Sequence, residues 1–106
     1  MANTYVLLNA VTTAVPTNGA VQYSRNRPGT IQASVVGTGA VTATVLIYGR
    51  NGVLATDWML LGTITLSGTT SAADGFALAC TYQDLYASVT AISGTGAAVT
   101  CTLAEA

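Results

Sequence analysis

An alternation of period two recurs along almost the whole chain, and it narrows the possible folds more than any other feature. Ile31, Ala33 and Val35 alternate with Gln32 and Ser34, and Val41, Ala43, Val45 and Ile47 with Thr42, Thr44 and Leu46. Ile64 and Leu66 sit among Thr63, Thr65 and Ser67. Leu85, Ala87, Val89 and Ala91 sit among Tyr86, Ser88 and Thr90, and Val99, Cys101 and Leu103 among Thr100 and Thr102. Successive side chains of a strand point to opposite faces, so each run reads as a strand with one apolar face and one polar face. The polar face is largely Thr, whose β-branched side chain suits a pleated surface. No longer window shows helical spacing with caps. The run SAADG, 71–75, reads as one helical turn at most, or as a loop.

Turn signals separate these runs: PTNG at 16–19, RPGT at 27–30, GTG at 37–39, GRNG at 49–52, SGTT at 67–70, DG at 74–75 and SGTG at 93–96. A spacing of about 8–12 residues is the rhythm of a sandwich or barrel. The expected strands are eight: 3–9, 20–24, 30–36, 41–48, 58–66, 75–82, 85–92 and 98–104. At 106 residues the chain is expected to form a single β-sandwich domain, 1–106, with 1–10 an N-terminal arm or an edge strand. ASVVGTGAVTATV, 33–45, echoes ASVTAISGTGAAVTCTL, 87–103. The echo suggests two similar hairpins, one in each sheet, with glycines at the positive-φ positions.

Charge excludes more than it suggests. Asp, Glu and Arg make up 7% of the chain, which has three Arg, no Lys and no His; ordinary domains carry about 25% charged residues. Three cations cannot neutralise several phosphates, so nucleic acid is not an expected partner. No apolar run of about 18 residues is present to span a membrane as a helix. The start, MANTYVLLNAV, lacks a positive n-region and reads as mature protein rather than a signal peptide. A net charge of −1 leaves little repulsion between copies, which suits a subunit whose faces are covered.

Catalysis finds no machinery. The carboxylates are Asp57, Asp74, Asp84 and Glu105, none in a recognisable acid–base pair. Without His there is no nucleophile–base constellation, and no glycine-rich phosphate loop appears. Cys80 and Cys101 fall on apolar strand faces and read as small buried hydrophobes; two cysteines without histidine make no zinc site. Whether they pair is left open, and no metal or cofactor is expected.

The candidates that remain are contact residues. Tyr23, Arg25 and Arg27 share one side of the extended stretch YSRNRPGT, and Pro28 holds Arg27 extended. The two guanidinium groups are displayed as a pair, either for a partner's carboxylates and carbonyls or for Asp57, Asp74 or Asp84 of the same chain. Arg50 is the third cation. Trp58 opens the run WMLL, which reads as buried on both faces, in a core or a subunit interface. The alternative is a sugar platform, with Tyr5, Tyr23, Tyr48, Tyr82 and Tyr86 as possible companions. The candidate partner-binding residues are therefore Tyr23, Arg25, Arg27, Arg50 and Trp58.

Three segments, NGAVQYSRNRPGTIQA, LGTITLSGTTSAADGF and LYASVTAISGTGAAVTCTL, resemble small virion structural proteins of tailed bacteriophages, over residues 16–103. The resemblance implies a capsid decoration, or cement, protein with a jelly-roll fold. Such a protein would be made in the bacterial host cytoplasm and sit on the capsid surface. Its partners would be the major capsid protein and copies of itself as a dimer or trimer. The rivals are a tail, neck or spike-base component of the same virion, and a carbohydrate-binding receptor module.

Overall fold

The computed structural model describes residues 3–14, 22–23, 29–50, 58–78 and 84–105. They form β1 (Asn3–Val11), β2 (Gln22–Tyr23), β3 (Gly29–Val36), β4 (Val41–Arg50), β5 (Met59–Gly68), β6 (Ser71–Leu78), β7 (Asp84–Ser93) and β8 (Ala98–Glu105). The protein is all-β, with no helix among the described residues. The strands form two antiparallel sheets, one in the order β1-β8-β3-β6 and the other β2-β7-β4-β5. β2 contributes only two residues, so the second sheet is essentially three long strands.

Alternation builds the core as expected. Ile31, Ala33 and Val35 of β3 and Val99, Cys101 and Leu103 of β8 are buried from the first sheet. Val41, Val45 and Ile47 of β4, Ile64 and Leu66 of β5, and Leu85, Ala87 and Val89 of β7 come from the second. All belong to one apolar cluster, so the inner faces of the two sheets share a single core, as in a sandwich. Cys101 is a free thiol within it, and burial pushes its pKa up to about 12. Cys80 lies outside the described residues.

Bulges change the phase of the alternation. Val45 faces Val89 while Thr44 faces Ala91, so Thr90 is an extra residue on β7. Beyond it Ala91 turns outward and Ile92 packs against the core. On β1, Val6 faces Thr102 and Leu8 faces Cys101, which leaves Leu7 extra and buries Leu7 and Leu8 in succession. A second shift lies between Leu8 and Val11. There Ala10 takes a left-handed φ of 51° and donates its N–H to Thr100 Oγ1 at 3.3 Å.

Three expectations need correction. The segment 71–75 is neither a helical turn nor a loop: it begins β6, which pairs with β3 along its whole length. Asp74-Gly75 is therefore strand, not turn. A Cβ on Gly75 would overlap the Ile31 carbonyl oxygen, so this glycine serves close backbone approach. Asp74 Oδ1 accepts the Gly75 N–H at 2.8 Å. Second, WMLL is not buried on both faces. Met59 and Leu60 are 51% and 54% exposed, because β5 ends its sheet.

Third, the two echoed segments are not hairpins within a sheet. Each is an arch between sheets, β3 to β4 and β7 to β8. The arches pack side by side, with the Thr38 N–H and hydroxyl both donating to the Thr95 carbonyl, at 3.0 and 3.1 Å. Only the second uses positive-φ glycines, Gly94 at 123° and Gly96 at 67°.

Two predictions follow from packing. Gly75→Ala should lower stability by about 1–3 kcal/mol, the usual cost of forcing volume into a filled site, read as a shift of the urea midpoint. In a Cys80→Ser background, Cys101 should resist a thiol reagent at pH 8 in the folded protein and react fully once unfolded, because the reactive thiolate is suppressed.

Candidate interaction site

The outer face of the second sheet carries an aromatic cluster at the end where β4 finishes. Tyr48 and Tyr86 are directly opposed in the β4–β7 register, and Ile47 and Ala87 beside them turn inward to the core. Their rings stack with centroids 5.0 Å apart and planes 15° from parallel. Trp58, immediately before β5, meets Tyr86 nearly perpendicularly, at 4.6 Å and 86°. Arg50, two residues after Tyr48 and on the same face, places its guanidinium 4.3 Å from the centre of the Trp58 ring. A register shift between Ile47 and Tyr48 leaves Leu61 extra on β5 and sets Leu60 opposite Tyr48. Aromatic pairs of this kind are worth about 0.5–1.5 kcal/mol beyond area burial. A half-exposed cation–π contact adds about 0.5–1 kcal/mol.

Tyr86 is buried, although it lies outside the core cluster. Burial first, and neighbouring Tyr48 second, raise its phenol above the ordinary 10.0. The cluster joins three aromatic rings to one guanidinium. Its residue types are Trp, Tyr, Arg and Met, the types enriched at the centres of protein interfaces. Exposed Met59 and Leu60 extend the patch to the end of the sheet. A sugar needs an open aromatic face, and the guanidinium already covers one face of Trp58.

Two of the five sequence candidates meet here, and the backbone of a third is in register with them. Arg50 and Trp58 are in contact. The backbone of Tyr23 faces Asp84, which in turn faces Arg50, so Tyr23, Asp84 and Arg50 form one row across the sheet. Arg25 and Arg27 lie outside the described residues. Tyr48 and Tyr86 entered the sequence analysis only as companions of Trp58. Their signal was weak but real: each is an aromatic residue between the charged end of its strand and a run of Thr, Ser or Leu on the same face. Among the other tyrosines, Tyr5 packs against the core in the first sheet, and Tyr82 lies outside the described residues.

Comparison with protein families, with curated proteins and with solved structures finds no match to this chain.

The Tyr86 environment predicts a pH effect. Above pH 10 the unfolded phenol ionises while the folded one holds its proton, so folding stability falls as pH rises past that point. Urea midpoints at pH 9 and pH 11 should drop more steeply for the wild type than for Tyr86→Phe.

Proposed function

We propose that this chain is a structural subunit of a virus particle: a jelly-roll decoration protein. It binds the outside of a tailed-phage capsid and staples neighbouring capsid subunits against the pressure of packaged DNA. The observation that carries the reading is the nesting of the strand pairs. β1 lies beside β8, β2 beside β7, β3 beside β6 and β4 beside β5. A long antiparallel ribbon folded over on itself gives this order, and eight strands in two such Greek keys make a jelly roll. Jelly rolls occur among viral capsid and lectin domains, and fold alone does not choose between them.

Support for the structural role comes from elsewhere. The chain has four carboxylates, three Arg and no His, too little chemistry for an enzyme and too little charge for a free surface. Segments across residues 16–103 resemble phage virion proteins. The contact of Arg50 with Trp58 weighs against a receptor module that stacks sugars. In this reading the cluster of Tyr48, Arg50, Trp58 and Tyr86 is a contact surface. Many weak contacts per particle hold the shell, because linked copies bind together.

The test is co-sedimentation with mature shells that lack decoration. Saturation at hundreds of copies, with shells that survive more heat, is the expected result. No binding would overturn the shell role and move the weight to a tail, neck or spike-base component.

A further inference from the structure

The four strands that end the two sheets are β1 and β6 in one, β2 and β5 in the other. An open edge invites pairing with another chain, and monomeric proteins defend their edges with shortness, charge, proline or bulges. Three of these edges carry such a defence. β2 is two residues long. β1 breaks register twice and holds Ala10 in a left-handed conformation. β6 carries the exposed Asp74 in mid-strand. β5 is different. Its sequence MLLGTITLSG has no charge and no proline, its one bulge, at Leu61, lies near its start, and its stretch 62–68 pairs regularly with β4. Among the described residues β4 is its only neighbour within the sheet. At its start Met59 and Leu60 are more than half exposed.

We infer that β5 is the seam along which a second copy of this chain docks, antiparallel about a two-fold axis, joining two second sheets into one. Charge selects both the edge and the occupant. A two-fold pairs residue i of one copy with j of the other and brings residues near the axis close to their own twins, so a charge in mid-strand repels its copy. On β6 such pairing would set two Asp74 carboxylates together; on β5 no charge meets another. The net charge of −1 adds almost no long-range repulsion between copies. The centre of the strand is symmetric, with exposed threonines on both sides of buried Ile64. With the axis at Ile64, the exposed Thr63 of one copy falls opposite Thr65 of the other, a favourable cross-strand pair. The inference stands independently of the virion reading, since it needs only a second copy.

Sedimentation velocity on the full chain over a range of concentrations tests it. The wild type is expected to dimerise. Thr65→Lys should weaken the dimer by roughly tenfold or more, since like charges meet near the axis. Mixing that variant with Thr65→Glu should restore a heterodimer. Thr65 is exposed, so unchanged far-ultraviolet circular dichroism is expected to show that both variants fold. A wild type that stays monomeric, or a Thr65→Lys variant that self-associates as tightly as the wild type, would overturn the seam. Shell binding measured in parallel separates the two proposals. A monomer that saturates shells removes this inference alone, and a β5-dependent dimer that ignores shells removes only the shell role.

Discussion

The molecule depends on a single core that neither sheet can form without the other. Ile31, Val35, Val99 and Leu103 press from one side, and Val45, Ile47, Leu85 and Val89 from the other. Each such side chain gains about 1.5–3 kcal/mol on leaving water. The chain crosses between the sheets at nearly every connection: only β4 and β5 are consecutive in sequence and adjacent in the same sheet. β1 must find β8, and β3 must find both β8 and β6, before the first sheet exists, and β4 must find β7 to extend the second. Pairings so distant in sequence make folding slow and cooperative, because loop closure is opposed by entropy until the shared core forms.

The two arches matter for the same reason. β3 crosses to β4 through 37–40, and β7 crosses back to β8 through 94–97. Their strands already pair, β3 with β8 and β4 with β7, so the arches close the same end of the molecule side by side. The contacts of Thr38 with the Thr95 carbonyl tie them together. The echo between 33–45 and 87–103 therefore describes two packed arches, and similar sequence reflects a similar task. The tasks are not identical in backbone: one arch turns on Gly94 and Gly96 at positive φ, and the other does not.

What the sequence made legible was whatever depends on a strand alone. Alternation in 31–35, 41–47, 64–66 and 99–103 marked the buried residues correctly, since one pleat determines which side chains share a face. What it hid depends on two strands at once. Thr90 and Leu7 are extra only relative to β4 and β8, so the reversal at Ile92 and the paired burial of Leu7 and Leu8 had no local sign. Gly75 looked like a turn because glycine after aspartate usually is one, yet its reason is the β3 backbone pressed against it. The same limit governs the aromatic cluster. Tyr48 and Tyr86 lie 38 positions apart, and only the β4–β7 register stacks them. Trp58 and the apolar residues after it suggested burial, but β5 ends its sheet, with one strand neighbour among the described residues.

Scarcity of charge gives each placed charge a clear consequence. Arg50 is held over Trp58, where its guanidinium completes an aromatic surface. Asp74 stands exposed on β6 and makes that edge unfit for pairing with itself. β5 receives neither kind of protection, although Met59 and Leu60 leave apolar surface open at its start. The aromatic cluster and the uncharged edge are also contiguous, because Trp58 precedes β5 and Leu60 faces Tyr48. Half-buried aromatic rings on the face and exposed apolar side chains at an uncharged edge are costly to leave in water. Covering both parts with protein removes that cost, and one end of one sheet presents them together.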